Sequence, residues 1–165
     1  MSDQVATISY KGIFNRDTCG VALPTVQVAI ERGRIQFFGQ VIGIADPIHY
    51  DVDAARAAGH PDIVAPPSFF TVIETLASTE LERLGHQHAR ALIGCDFRYL
   101  LHGDERYDYV GHIFAGDEIS VATRIADFYD KKGGAMEFVT LEYELAHARR
   151  GVVLRATRTL LHRLG

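Results

Sequence analysis

Residues 37–51 read Phe-Phe-Gly-Gln-Val-Ile-Gly-Ile-Ala-Asp-Pro-Ile-His-Tyr-Asp. A helix-spaced apolar run gives out there at Gly43, into a short loop that presents Asp46 and His49, with Pro47 fixing the backbone between them. A carboxylate and an imidazole on one stiff loop are the parts of general acid–base catalysis near neutral pH. The same residues have a plainer use, because Asp before Pro is a common turn starter and His49 can be a hydrogen-bonded histidine ahead of the next helix. Spacing alone leaves both readings open. Other chemistry has less support. His86 and His88 are the one close histidine pair, without a third ligand at metal spacing, so no metal is expected. Phosphate-binding glycine loops and a GxSxG elbow are absent, which removes the usual signs of ATP, NAD or serine-hydrolase chemistry. Cys19 and Cys95 stand alone, without the spacing of a disulfide framework or a zinc knuckle.

The elements around this loop follow from periodicity. Ile35, Phe38 and Ile42, with Phe37 and Val41 beside them, predict a short amphipathic helix over 30–42. A second, over 51–59, starts at Asp51 or Asp53 as N-cap and ends at Gly59, with Pro61 just beyond. Residues 65–68 read Ala-Pro-Pro-Ser, where two prolines stop the preceding chain and Ser68 can cap the next helix. The main core helix is expected over 69–84, with Phe69, Val72, Ile73, Leu76, Ala77, Leu81 and Leu84 on one stripe. Beyond Gly94 the period changes to two, and antiparallel strands are expected near 117–130, 136–148 and 152–163. Glycines at 133, 134 and 151 suit the hairpin turns between them. A fourth strand over 97–110 is broken near Gly103. Helices first and strands after is the order of an α+β domain: one long helix and an antiparallel sheet of about five strands.

At 165 residues, with 47% hydrophobic and 23% charged side chains, the chain is expected to form a single domain over 1–165 with a full core. Its net charge of −4, without a basic run, argues against nucleic acid. No apolar stretch approaches a membrane span, and the opening residues lack a signal pattern, so a cytoplasmic location is the expectation.

Several strings taken in order resemble one family. They are Glu31-Arg-Gly-Arg-Ile-Gln-Phe-Phe, then Ile42 through His60, then Asp62-Ile-Val-Ala-Pro-Pro-Ser-Phe, then Leu101-His-Gly and Ala115-Gly-Asp. Together they resemble the MaoC-like dehydratases, in the branch of the amino-terminal part of two-part hydratases and the first subunit of mycobacterial hydroxyacyl-thioester dehydratases. The resemblance implies a hot-dog fold, an antiparallel sheet wrapped around one long central helix. It also implies hydration of a trans-2-enoyl thioester to the (R)-3-hydroxy product, or the reverse, on coenzyme A or acyl carrier protein. That chemistry takes the thioester as substrate and no cofactor. Asp46 and His49 are then the catalytic candidates, while Pro66, Pro67, Ser68, Phe69, Phe70 and Ile73 are the candidates for binding the acyl chain.

Two departures from the family pattern stand out. The family loop reads Gly-Asp-x-Asn-Pro-x-His, and its aspartate falls on Ile44, which cannot hold a proton. The family glycine whose N–H donates to the thioester oxygen falls on Pro66 or Pro67, and proline has no N–H. Three readings are compatible with these departures. The first is a hydratase with Asp46 and His49 rearranged. The second is a non-catalytic acyl-thioester-binding subunit beside a second hot-dog chain carrying the intact pair. The third is a hot-dog thioesterase, which needs a carboxylate on the core helix. Glu74 is the central candidate for that role, although its place beside Thr71, Thr75 and Ser78 predicts a face in solvent or at an interface. A homodimer or heterodimer is expected in each case. Arg32, Arg34, Arg98 and Arg124 are the candidates for meeting coenzyme A phosphates.

Overall fold

The computed structural model describes residues 12–165; the opening segment, where a signal pattern is lacking, lies outside them. Five strands form one antiparallel sheet: β1 (Val26–Ala29), β2 (Leu100–Tyr109), β3 (Glu118–Lys131), β4 (Met136–His147) and β5 (Gly151–Arg163). Their order across the sheet is β1-β3-β4-β5-β2. The long hairpins close at the expected glycines, where Gly133, Gly134 and Gly151 adopt φ of 62°, 90° and 70°. In β2 the register slips between His102 and Asp104. A Cβ at Gly103 would lie 3.1 Å from the Thr159 carbonyl oxygen, so the glycine permits a close backbone approach.

Four α-helices accompany the sheet among the described residues: α1 (Arg32–Val41), α2 (Val52–Ala57), α3 (Phe70–Arg83) and α4 (Ala89–Leu92). Asp51 caps α2 by accepting from the N–H groups of Asp53 and Ala54 at 2.8 and 3.0 Å. The core helix α3 lies against the inner face of the sheet, with the Phe70 ring 4.9 Å from Tyr143 and 5.5 Å from Tyr107. Ile119, Val121, Thr123 and Ile125 of β3 and Val139, Leu141, Tyr143 and Leu145 of β4 supply the buried face, matching the period of two in the sequence. This is the α+β hot-dog arrangement. Among the described residues no helix is long and apolar enough to cross a membrane.

Three local expectations change. The first half also contributes a strand, β1, whose four residues are too few for alternation to stand out from the helices around them. Of the large apolar side chains of α1 only Ile35 is fully buried and Phe38 half so. Phe37, Val41 and Ile42 are 68%, 66% and 45% exposed, so the apolar stripe is wider than the surface the domain covers. The buried face of α3 includes Phe70 and Glu74 and excludes Leu84, because arginines from other elements neutralise the glutamate there.

A buried clip joins residues 12–18 to the far end of the sheet. Glu137 Oε1 accepts the N–H groups of Ile13 and Phe14 at 2.7 and 3.0 Å, and Nδ1–H of the fully buried His162 at 2.8 Å. The Nε2 atom of His162 accepts the Asp96 N–H at 3.0 Å, which places the ring proton on Nδ1. Glu137→Ala leaves three donors, two of them buried, without an acceptor and is expected to lower stability by about 3 kcal/mol or more. Urea unfolding checks this, and a loss below about 1 kcal/mol would show that the clip holds nothing.

Candidate active site

The 42–50 loop is a turn followed by a single 3-10 turn, Pro47–His49, in which Pro47 sets φ and Asp46 is the N-cap. The Asp46 carboxylate accepts the Ile48 N–H at 3.1 Å and is exposed. That is the turn-starter use of the residue. His49 points inward and is only 9% exposed, with its Nδ1 2.6 Å from the Val64 carbonyl oxygen. A carbonyl only accepts, so Nδ1 carries the proton and Nε2 of the neutral ring keeps a bare lone pair. Such a nitrogen can take a proton from water or from an α-carbon. Val64 also donates its N–H to the Ile48 carbonyl at 2.9 Å, so the loop and the 63–65 segment hold each other at two points. Among the described residues no side-chain hydrogen bond joins Asp46 to His49, whose only tie is the backbone bond from His49 N–H to the Asp46 carbonyl at 3.2 Å. The imidazole is oriented by a carbonyl and not by a carboxylate.

Two residues beyond Val64 come Pro66, which is buried, and then Pro67 and Ser68, which are exposed at the mouth of α3. Pro66 and Pro67 offer no N–H at this helix start, and Phe69 N–H is taken by the Pro66 carbonyl at 2.9 Å. Tyr109 at the end of β2 donates its hydroxyl to the Pro67 carbonyl at 2.6 Å, a tie that sequence reading missed. Burial pushes the Tyr109 hydroxyl well above its ordinary pKa, so it stays a donor at neutral pH. Phe69, Phe70 and Ile73 are fully buried, with Phe69 edge-on to Phe38 at 5.5 Å. Protein already covers the surfaces they would offer an acyl chain. An open groove of about 630 Å³ lies nearby, lined by Gly33, Gln36, Phe37, Gln40, Ile44 and Tyr50.

A family model described as "FAS1-like, dehydratase domain region" matches residues 17–156. The chain belongs to this family of MaoC-like hot-dog dehydratases. A UPF0336 protein of Leifsonia xyli subsp. xyli is 34% identical over 85% of this chain and 89% of its own length. Among solved structures, the C-terminally truncated HadBC (3R-hydroxyacyl-ACP dehydratase) complex of Mycobacterium tuberculosis superposes with a TM-score of 0.69 at 19% identity, covering 88% of this chain and 97% of that one. A MaoC-like dehydratase of Rhodospirillum rubrum gives 0.64 at 20% identity, covering 92% and 97%.

Against that family background, Glu74 departs from the solvent or interface position expected for it. It is 4% exposed. Its Oε1 accepts from Ser78 Oγ and Arg90 Nη1 at 3.1 and 3.0 Å, and its Oε2 from Arg90 Nη1 and Arg158 Nη1 at 2.9 and 3.3 Å. Arg158 in turn reaches Glu105 of β2. A carboxylate with both oxygens engaged by two guanidinium groups is poorly placed as the attacking or basic group of a thioesterase. No spacing in the sequence links residues 74, 90, 105 and 158; only folding does.

The four arginines proposed for phosphate contact all have acidic neighbours. Arg32 bonds Asp62, holding that carboxyl below its usual range, and Arg98 bonds Asp96, holding it down to about 2. Arg34 pairs with Glu31 at 2.7 Å, and Arg124 lies 3.8 Å from Glu142. Of the histidine pair, His88 caps α4 through Ala91 N–H at 3.3 Å and lies 3.2 Å from Glu82. Among the described residues no three His, Cys, Asp or Glu side chains converge to hold a metal.

Proposed function

We propose that the chain is one subunit of a two-chain (R)-specific hydro-lyase for acyl thioesters, which interconverts trans-2-enoyl and 3-hydroxyacyl groups on coenzyme A or acyl carrier protein. His49 supplies the imidazole, and a second hot-dog chain supplies the carboxylate. The observation that carries this reading is the state of His49: Nδ1 is tied to Val64, Nε2 is bare, and the two carboxylates nearest in sequence are engaged by backbone, Asp46 by Ile48 N–H and Asp51 by the N–H groups of Asp53 and Ala54. In hydration, the base takes a proton from water and the oxygen adds to the β-carbon. Charge then develops on the thioester oxygen, and the α-carbon is protonated. Hydrogen-bond donors for that oxygen are scarce at Pro66 and Pro67, which is a second reason for the other chain to complete the site.

The sheet offers a place for it. β2 is an edge of ten residues, bordered by exposed Phe97, Tyr99, Leu101, Tyr109 and Val110, and a long open edge of this kind invites a further strand. That edge is where a second hot-dog chain would extend the sheet. HadBC is likewise a complex, which supports a second chain.

A self-sufficient homo-oligomeric hydratase is the second reading. It is favoured by the exposure of Asp46, whose single capping bond is cheap to exchange for one to His49. Hydration of crotonyl-CoA and of a longer trans-2-enoyl-CoA, followed by loss of enoyl absorbance with the mass in solution recorded, separates the two. Rapid turnover by a homo-oligomer would establish the second and overturn the first. In either form His49→Ala is expected to lower turnover by about 10²-fold or more, with folding checked by thermal melting. Unchanged turnover in a folded variant would remove His49 from the chemistry.

A further inference from the structure

We propose that Asp117 is a positioning residue for His49, acting through Phe114 and Val64. Residues 63–65 run between two neighbours. On one side Val64 holds Ile48 through its N–H and His49 through its carbonyl. On the other, Ala65 N–H donates to the Ile113 carbonyl at 2.8 Å and Ala115 N–H to the Ile63 carbonyl at 3.0 Å, so that Val64 faces Phe114 in an antiparallel bridge. In such a pair the backbone groups of the central residues point away from each other. Those of Val64 go to the His49 loop, and those of Phe114 go to Asp117. The Asp117 Oδ2 atom accepts Phe114 N–H at 2.8 Å, while Asp117 N–H donates to the Phe114 carbonyl at 3.2 Å.

Asp117 is itself fixed from several elements. The Arg150 guanidinium pairs with its Oδ2, donates to the His112 carbonyl at 2.7 Å and lies 5.1 Å over the Phe114 ring. His147 Nε2 stands 3.8 Å from Oδ1. The Asp117 carbonyl accepts Ile30 N–H at 2.8 Å, and Gly116 N–H returns to the Ile30 carbonyl at 2.8 Å, tying the turn to the end of β1. The carbonyl that sets the tautomer of His49 is thus the inner rung of a ladder whose outer rung is a largely buried carboxylate. An outer partner that orients a functional histidine has a large effect for its distance, because small displacements of the reacting atom are costly.

This role of Asp117 rests on His49 being the imidazole of the proposed site, and its test reads the ring itself. In the ¹⁵N-labelled full chain, the imidazole nitrogens are observed by long-range ¹H–¹⁵N correlation, with His49 assigned by its loss in His49→Gln. The neutral ring is expected as one tautomer, protonated at Nδ1. Asp117→Ala is expected to give a mixture with the Nε2-protonated form. Asp117→Asn, which keeps an acceptor for Phe114 N–H, restores the single tautomer. Arg150→Met, at an exposed position, moves the signature part-way and carries the test if Asp117→Ala does not fold. An unchanged His49 signature in Asp117→Ala, or in Arg150→Met where the alanine variant fails to fold, overturns the proposal. In the assembled enzyme Asp117→Ala is expected to lower kcat about 10- to 100-fold and to move KM far less. Turnover indifferent to His49→Ala would sink the proposed function and leave the ring measurement standing.

Discussion

Purified alone, the chain is expected to hydrate crotonyl-CoA at least about 10²-fold more slowly than when reconstituted with a hot-dog chain that carries an aspartate ahead of its histidine. Two separate losses lie behind this number. On the proposed reading Ile44 stands where the family carboxylate would be, and Asp46 is engaged by Ile48 N–H. General acid–base assistance is worth about 10² to 10⁴ in rate. Pro66 and Pro67 remove the N–H that would meet the thioester oxygen, and one such donor is worth about 10² to 10³. The bare Nε2 of His49 retains part of the function, so a residual rate above background is expected and should vanish in His49→Ala. Co-expression with the candidate partner, followed by native mass measurement and the enoyl absorbance assay on the same sample, checks the result. Equal rates with and without the partner would mean that Asp46 and His49 form a complete site.

Glu74→Ala is expected to be among the most destabilising single changes in the domain, at about 3–5 kcal/mol. The glutamate is buried in the middle of α3 between Arg90 and Arg158, so its removal leaves the Arg90 guanidinium without its partner and Arg158 with Glu105 alone. Arg158 is itself buried, and its Nη2 has no hydrogen-bond partner even with Glu74 in place. For a chain of this size, such a loss corresponds to a fall in Tm of roughly 6–20 °C. A change below about 2 °C would mean that the three groups contribute nothing net, as can happen when desolvation cancels attraction. Glu74→Gln should leave any thioester chemistry at His49 in place. A selective loss of thioester hydrolysis in a well-folded Glu74→Gln protein would revive the thioesterase reading.

Much of this was legible in the sequence because it depends on neighbours along the chain. The alternation of Val139, Leu141, Tyr143 and Leu145 marks a half-buried strand wherever it lies in the sheet. Asp51 and Gly59 bracket α2 by capping rules that act over three or four residues. Pro47 between Asp46 and His49 makes a stiff turn locally, and the ordered strings from Glu31 to Asp117 marked the family. What misled was equally local: α1 carries Phe37, Val41 and Ile42 as if for a core, yet this domain leaves them open to a surface.

The α+β class, the main helix, the four longer strands and the loop that carries Asp46 and His49 were all readable before folding was considered. They depend on periodicity, turn chemistry and side-chain inventory, each of which acts over a few residues. What each polar group meets came from long-range packing alone. Folding brought Val64 to His49 across 15 positions, Asp117 and Arg150 to the ladder behind Val64, and Arg90, Arg158 and Glu105 into one cluster with Glu74. Hydrogen bonds and ion pairs between residues far apart in the chain have no period to read. Whether a glutamate on an amphipathic helix faces water or two buried arginines depends on which strand passes over it, and that is set by the packing of the whole sheet.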